Sequence, residues 1–315
     1  MPSYLVYNTE QWTTCNIALL KVRRSFRKGL LVNIKLIADS TCDLSEDLIK
    51  KHNIRITPLS ISAGSALLKD GIEITLTDIF DYVENKNTLC STSAVNIEEY
   101  LQVYKEERPK CDAIIQFTIS SEMSSCYQNA CLAAQDFDNI FVIDSRNLST
   151  GIGHLVLDAA ELAAEGKPAS EIAEILNQRT ALVDATFIID TLHYLHKGGR
   201  CSSVAALASN LLNIKPCIVV EGGSMKVGKK YRGKLDSVLR KYVEERLSDK
   251  ESIDTRRIFV THTVMPENRE IVDMVNALLP EVLPFDEIHE TMAGSTIACH
   301  CGPNTLGILF FRKAV

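Results

Sequence analysis

The sequence predicts an α/β protein with two domains, of which the first is built on a mainly parallel sheet. Its 315 residues exceed the length at which a single hydrophobic core usually stops growing. In the first half, a buried strand, a hydroxyl-rich loop and a helix follow one another repeatedly, and such units form parallel sheets covered by helices. The interruption Gly166-Lys167-Pro168 predicts domains over residues 33–167 and 168–315.

Residues 1–32 form an N-terminal extension that differs from everything after it. They hold Trp12, the only tryptophan of the chain, and a basic cluster made of Lys21, Arg23, Arg24, Arg27 and Lys28. One interpretation is a transit peptide. The other is a start codon assigned too far upstream, since residues 32–38 would begin cleanly on the first strand. We favour the second, which would leave residues 1–31 without a functional role.

The first domain is predicted from hydrophobic runs that end in polar loops. Asn96 and Glu99 form a capping-box pattern, which opens a helix at 98–107. The other predicted elements are a strand at 31–38, a helix at 45–51, a strand at 113–119 with a helix following residue 125, a strand at 140–143 and a helix at 150–166.

The second domain is predicted to combine helices with some antiparallel pairing. Gly222 and Gly223 mark the turn of a hairpin at 217–233, and Gly198-Gly199 predicts a loop at 195–200. The remaining predictions are helices at 169–179, 204–212, 234–247 and 267–279 and strands at 185–190, 257–261 and 286–291.

Charge and hydropathy argue against several classes of function. A net charge of −6 disfavours a nucleic-acid-binding protein, which needs a basic surface. No stretch reaches the roughly eighteen apolar residues of a membrane span, so we predict no stable membrane insertion. The ten cysteines are scattered in apolar segments without paired spacing, which favours reduced thiols and a cytoplasmic protein.

One pattern suggests a metal, the run Cys299-His300-Cys301. On an extended segment, neighbouring side chains point to opposite faces, and no second pair of ligands is evident. We therefore predict no metal site and no cofactor.

Hydroxyl residues are concentrated where predicted strands give way to helices. In a parallel sheet this edge binds ligands, and helix N-termini there favour an anion. Each of these residues alone could be an ordinary helix cap. The adjacent pairs Thr92-Ser93 and Ser124-Ser125, however, supply more hydroxyls than one cap requires. The candidates for a small polar cleft are Thr92, Ser93, Ser120, Ser121, Ser124 and Ser145.

Nucleotide binding and hydrolysis have little support. The chain has no phosphate-binding Gly-rich loop with its Lys, and Gly151-Ile152-Gly153 lacks the third glycine of the dinucleotide fingerprint. It has no Gly-x-Ser-x-Gly turn, and no Ser with an obvious neighbouring base. The hydroxyls therefore favour binding over catalysis.

Several short motifs occur in the order typical of one family. From residue 33 to the end, the chain resembles the DegV proteins. The motifs are Asp39-Ser40-Thr41-Cys42-Asp43-Leu44, Thr92-Ser93, Ile119-Ser120-Ser121-Glu122-Met123-Ser124, Val142-Ile143-Asp144-Ser145, Asp190 through Arg200, Ile214-Lys215-Pro216 and His300-Cys301-Gly302-Pro303.

The resemblance implies a long-chain fatty acid in the cleft between two α/β domains. By motif position, Thr92 and Ser124 would bind the carboxylate, with Ser93, Ser121 and His300 beside them. It further implies a non-catalytic subunit that presents the carboxylate to a separate ATP-binding fatty acid kinase. Arg200 and Arg232 would then lie near the carboxylate or the kinase.

Alternatives stay open at this point. Arg200 could cap a helix or pair with an acid, His300 could make a structural hydrogen bond, and Arg232 could be solvated. The chain could instead be a stand-alone enzyme acting on a small carboxylate or phosphorylated substrate, or a lipid-responsive regulator.

The chain departs from the family pattern in two places. It has Ala94-Val95-Asn96 after Thr92-Ser93, where the family has Gln-Pro-Ser. It has Ser124-Ser125-Cys126-Tyr127 where the family has Ser-Gly-Thr-Tyr. The Thr and Ser expected to bind the carboxylate are retained, whereas the shape of the pocket beside them is expected to differ.

Overall fold

The computed structural model describes residues 32–203 and 214–314. The described strands are β1 (Ile34–Asp39), β2 (Arg55–Thr57), β3 (Ser60–Ala63), β4 (Ala66–Lys69), β5 (Ser91–Ser93), β6 (Ala113–Thr118), β7 (Ile140–Asp144), β8 (Val183–Ile188), β9 (Ile214–Glu221), β10 (Ser224–Arg232), β11 (Ile253–His262), β12 (Glu287–Met292) and β13 (Leu306–Arg312). The described helices are α1 (Glu46–Lys51), α2 (Leu76–Lys86), α3 (Ile97–Glu107), α4 (Cys126–Ala134), α5 (Thr150–Ala164), α6 (Ala169–Arg179), α7 (His193–Gly198), α8 (Leu235–Arg246), α9 (Glu270–Val282) and α10 (Ser295–Cys301).

The first sheet is parallel throughout, which confirms the prediction. Its four strands have the order β2-β1-β6-β7. Every residue of β6 is buried, as expected for a central strand that is covered on both faces. The carboxyl ends of β1, β6 and β7 meet at one edge, where the hydroxyl-rich loops begin.

The second sheet has six strands in the order β10-β9-β8-β13-β11-β12. Only β11 and β12 pair in parallel, and the other neighbours are antiparallel. The hairpin β9–β10 turns at Gly222 and Gly223, which both have positive φ, so the predicted hairpin is confirmed. The helix predicted at 204–212 lies outside the described residues.

A third, small sheet has the order β4-β3-β5 and was not predicted from the sequence. Its strands are three or four residues long, which is too short for an alternating pattern to be recognised. It matters here because β5 contains Thr92 and Ser93.

Helix α5 lies between the two large sheets and contacts β1 and β6 as well as β8 and β13. Most of its residues are buried, and one hydrophobic cluster includes Ile37, Leu155 and Phe259 from both halves of the chain. Helix α6 packs on β6 and β7 of the first sheet. The division at residue 167 stays a prediction, and the contacts of α6 associate this helix with the first sheet.

Three predictions for the second half were wrong or incomplete. The loop predicted at 195–200 is largely helical, because Tyr194 and Leu195 are buried in α7 and Gly199, with φ of 70°, terminates it. The segment around Cys299 and His300 is helix α10 and not extended. No strand was predicted after residue 303, yet β13 is central to the second sheet.

Across the described residues, no helix combines the length and apolarity that crossing a membrane requires.

Candidate functional site

A cavity of about 50 Å³ lies between β5, the loop after β6 and helix α10. Its polar lining comes from Thr92, Ser93, Ser124, Arg200, Thr296 and His300. Its apolar lining comes from Leu59, Ala94, Ile119, Met123, Leu148, Met225, Ile297 and Cys301. The structure therefore brings together four of the five residues predicted around a carboxylate, and Arg200 with them.

Thr92 and His300 form the central polar contact of this cavity. Thr92 lies opposite Ile61 in the small sheet, and its Oγ1 atom is 2.8 Å from Nε2 of His300 on α10. The contact joins a strand of the first half to a helix near the end of the chain. The pairing explains why the two motifs, 208 positions apart, belong to one site.

His300 is neutral at physiological pH. Burial, and to a lesser degree the positive charge of Arg200, lower the pKa of His300 to about 4. Its Nδ1 atom is buried and has no hydrogen-bond partner among the described residues. At Nδ1, a lone pair without a donor is less costly than an N–H without an acceptor. We therefore assign the proton of the neutral ring to Nε2. The imidazole then donates to Thr92 Oγ1, and the hydroxyl proton of Thr92 is free for a ligand.

Ser124 lies two residues before α4. Its Oγ atom accepts from the backbone N–H of Cys126 at 3.3 Å and donates to Cys126 Sγ at 3.2 Å. A thiol sulfur is a weak acceptor, so a carboxylate oxygen would replace it at little cost. Ser124 thus accepts a hydrogen bond from the first residue of α4 and keeps a hydroxyl proton that it could donate to a ligand.

Three of the predicted hydroxyls are engaged elsewhere. Ser120 donates to the carbonyl of Gly223 at 2.7 Å, Ser121 donates to Asp144 at 2.6 Å, and Ser145 donates to the carbonyl of Asn147 at 3.1 Å. None of them is among the residues that line this cavity. Ser120 instead connects the first domain to the hairpin turn of the second sheet.

The two predicted arginines occupy different places. Arg200 lines the cavity, is largely exposed, and donates to the carbonyl of Gly198 at 2.9 Å. Arg232 is exposed at the end of β10 and is not among the described lining residues. Only Arg200 is therefore positioned beside the hydroxyl groups.

A second cavity of about 20 Å³ shares part of its lining with the first. The surface that its walls expose is almost entirely apolar, although the lining residues include Ser149, Thr261, His262, Thr263 and Thr305. Leu148, Ile297 and Cys301 line both cavities. Phe187, Ala293 and Leu309 line the far part, between α10 and the second sheet. A polar end and an apolar interior therefore follow one another in the space between the two sheets.

Two buried aspartate side chains hold α10 beside the first domain, and sequence reasoning did not identify this role. Asp43 accepts from the backbone N–H of Gly294 at 2.9 Å and Asp70 from that of Ser295 at 3.0 Å. Burial raises the pKa of Asp43 to about 8, although its hydrogen bonds from Ser149 and Gly294 oppose the rise. The helix that contains His300 is thus positioned by groups from the opposite domain.

Within residues 32–203 and 214–314, no group of three or more His, Cys, Asp and Glu side chains is arranged to hold a metal ion. The nine cysteines of this part of the chain are free thiols.

A Gly198→Ala substitution tests the position of His300. A Cβ atom at Gly198 would clash with Nδ1 of His300, so we expect the ring to be displaced and its bond to Thr92 to be lost. We expect the pKa of His300, followed by NMR titration, to rise toward its ordinary value. Lys197→Ala, an exposed neighbour, is the matched control. An unchanged His300 titration in Gly198→Ala would contradict the described packing.

Comparisons with known proteins agree with this architecture. A family model described as "Uncharacterised protein, DegV family" matches residues 33–313. A DegV domain-containing protein of Clostridium perfringens is 33% identical over 285 residues, covering 89% of this chain and 99% of its own.

Two solved structures are similar in fold and sequence. A DegV family protein from Thermus thermophilus, whose structure is described as showing fatty acid binding, has a TM-score of 0.82 and 29% identity, with 89% of this chain and all of that chain covered. A stearic acid-binding protein from Eubacterium ventriosum has a TM-score of 0.77 and 27% identity, with 89% of this chain and 98% of that chain covered.

Proposed function

Because this chain belongs to the DegV family, we propose that it binds one long-chain fatty acid between its two domains. The main observation in support of the proposal is that the polar contact of Thr92 and His300 lies in the first cavity, which is followed by a second cavity with a mostly apolar surface. A molecule with an anionic group at one end and a long hydrocarbon chain would match a polar cavity followed by an apolar one. The two similar solved structures, which are described as binding fatty acids, support it.

The carboxylate binds to the hydroxyls of Thr92 and Ser124, with Ser93 and Arg200 at the rim. Neutral His300 donates to Thr92 and leaves the threonine proton directed at the ligand. Hydroxyl donors position the carboxylate oxygens without neutralising them as a buried arginine would. The carboxylate therefore remains a nucleophile.

The acyl chain extends past Leu148, Ile297 and Cys301 into the apolar cavity. Burying about fourteen methylenes at roughly 0.8 kcal/mol each gives an upper limit near 11 kcal/mol, so the tail supplies most of the affinity. The free space of about 50 and 20 Å³ is small beside the roughly 300–1,000 Å³ of ordinary ligand sites. Binding therefore moves lining side chains apart, and flexible Met123 and Met225 suit that role.

The bound carboxylate is presented to a separate ATP-binding kinase subunit, which converts it to an acyl-phosphate. Phosphoryl transfer depends on positioning and on cationic groups around the transferred phosphoryl. Arg200, exposed beside the hydroxyls, supplies such a group, and Arg232 lies on an exposed strand end that a partner could contact. The chain itself acts without catalysis, in the cytoplasm.

One observation favours the second candidate, a stand-alone enzyme acting on a small carboxylate. Thr92 and His300 are spaced like a nucleophile and its base. However, a catalytic His is normally oriented by a third group at its other nitrogen, and Nδ1 of His300 has no such partner in the described part of the chain. A pKa near 4 also makes His300 a weak base. The pair therefore suits binding better.

Denaturing extraction and mass spectrometry of the natively purified protein test the proposal. We expect about one equivalent of a fatty acid per chain, and its mass gives the chain length. We also expect no consumption of ATP when the loaded chain is incubated alone with ATP and Mg²⁺. A protein that is empty, and that does not take up added stearate or oleate, would refute fatty acid binding.

Substitution of the arginines separates binding from presentation. We expect Arg200→Ala to retain the fatty acid but to lower the rate of acyl-phosphate formation by the kinase about tenfold. A tenfold change corresponds to roughly 1.4 kcal/mol, the size expected for the loss of one charge-assisted contact. Arg232→Ala should weaken the kinase interaction without altering lipid content. Arg240→Ala, an exposed arginine on α8, is the control. Equal turnover in all four proteins would exclude both arginines from the kinase contact.

A further inference from the structure

One hydroxyl group of the first cavity has no hydrogen-bond partner. Thr296 is among the residues that line this cavity, and only 3% of its surface is exposed. Its Oγ1 atom is buried and makes no hydrogen bond within the described residues. A buried hydroxyl without a partner is unfavourable, so a ligand atom that pairs with Thr296 increases the affinity.

The hydroxyls that line the second cavity differ from Thr296, because each already has a partner inside the protein. Ser149 donates to Asp43, Thr261 contacts Thr150 and Thr291, Thr263 donates to the Gly302 carbonyl at 2.6 Å, and Thr305 donates to the Cys301 carbonyl at 3.0 Å. These hydroxyls are therefore committed to the fold, whereas that of Thr296 remains available to a ligand.

The place of Thr296 in α10 explains why its hydroxyl is unpaired. Within a helix, threonine can donate to the backbone carbonyl four residues earlier. Thr296 is the second residue of α10, and Met292, four residues earlier, still belongs to β12. Threonine in helices also uses two χ1 rotamers, which exchange the positions of its hydroxyl and methyl groups. The hydroxyl can therefore turn toward a ligand that fills the cavity.

Thr296 lies farther inside the protein than His300, the residue that contacts Thr92. It is four positions before His300, so the two share one face of α10 and lie about 6 Å apart along the helix axis. Ala293, two residues before α10, lines the second cavity. The direction from His300 to Thr296 thus leads from the rim toward the interior, and a ligand group beside Thr296 belongs to the hydrocarbon chain near its carboxyl end.

We propose that Thr296 forms a hydrogen bond with a hydroxyl group on the acyl chain near its carboxyl end, so that the protein selects hydroxylated over unsubstituted fatty acids. The inference rests on the proposed function, because it takes the carboxylate to bind at Thr92 and Ser124. A ligand hydroxyl both donates and accepts, as the Thr296 hydroxyl does. A methylene in its place leaves Thr296 unpaired, and a site that binds a ligand hydroxyl discriminates against ligands that lack it.

Competition between two ligands tests this selectivity. The purified protein is equilibrated with an excess of an equimolar mixture of stearate and 3-hydroxystearate, and the retained ligands are extracted and quantified by mass spectrometry. We expect the wild type to retain 3-hydroxystearate over stearate by about tenfold, equivalent to roughly 1.4 kcal/mol. The preference should disappear in Thr296→Val, which removes the hydroxyl, and persist in Thr296→Ser, which keeps it. The isomer 12-hydroxystearate, whose hydroxyl lies far along the chain, should gain nothing over stearate.

The same competition distinguishes the ways in which the inference can fail. An unchanged preference in Thr296→Val, or an equal gain for 12-hydroxystearate, would overturn it. An equal loss of both ligands in Thr296→Val would also overturn it and would assign Thr296 to the carboxylate. If the wild type retains stearate without any preference, the selectivity is refuted and fatty acid binding stands. If the wild type retains neither acid, the proposed function itself is refuted.

A stability measurement tests the unpaired state of the hydroxyl without added ligand. Thr296→Val removes a buried hydroxyl that has no partner and keeps the branched shape of the side chain, so its Tm should equal or exceed that of the wild type. A Tm that is lowered in Thr296→Val and restored in Thr296→Ser would mean that the hydroxyl is already paired inside the protein, and the inference would be wrong.

Discussion

A Thr92→Ala, Ser124→Ala double variant is expected to emerge from purification without the fatty acid that the wild-type chain retains. Hydrogen bonds to a charged group contribute about 1.5–3 kcal/mol each, so the loss of two weakens binding by at least about a hundredfold. The apolar lining is unchanged, yet a carboxylate without donors is costly to bury. Extraction followed by mass spectrometry measures the retained ligand.

Matched variants separate the hydroxyl from its neighbours. Thr92→Ser keeps the Oγ atom that contacts His300 and should retain most of the ligand. Ser121→Ala removes a hydroxyl that is bonded to Asp144 and lies apart from the described cavity lining, so it should retain the ligand as well. If the double variant remains fully loaded while its circular dichroism and Tm match the wild type, Thr92 and Ser124 do not bind the carboxylate.

The parallel sheet of the first domain could be predicted because its strands are continuous apolar runs followed by helices. The same reasoning missed β13, because the segment at 306–312 follows Gly302-Pro303 and contains a glycine. Gly307 is required there, since a Cβ atom would approach the carbonyl oxygen of Thr186 to 2.6 Å. A glycine that indicates a turn in the sequence thus lies in the interior of a buried strand.

The candidate site was predicted in part, and the errors in that prediction have one cause. Motif order suggested Thr92, Ser124 and His300, which the structure brings to one cavity. Sequence spacing could not distinguish Ser121 from Ser124, because the direction of a hydroxyl depends on its partner, here Asp144. Asp70 was missed because it stands before Gly71 and Ile72, which are exposed in a turn, and its bond to Ser295 is a long-range contact.

The second large effect is expected from Asp43→Ala, which should lower the free energy of unfolding by about 2–6 kcal/mol. Asp43 is the acceptor for the backbone N–H of Gly294 and for the hydroxyl of Ser149, and both donors would lose a buried partner at about 1–3 kcal/mol each. Because Gly294 precedes α10, the variant should also lose ligand. Asp43 has φ of 50°, so Asp43→Gly, which removes the carboxylate without backbone strain, controls for the conformation.

Asp43→Asn should instead remain close to the wild type in stability at pH 7 and differ from it in pH dependence. The folded pKa of about 8 lies above the ordinary value near 4, so unfolding releases a proton between these pH values. The stabilisation from protonated Asp43 is complete below about pH 4 and is lost as the pH rises through about 8. Asn tolerates positive φ and cannot ionise. The free energy of unfolding of the Asp43→Asn variant, measured with urea, should therefore fall less between pH 6 and pH 9 than that of the wild type. Parallel pH profiles for the two proteins would mean that Asp43 is already ionised in the folded chain, and that α10 is held by a charged carboxylate.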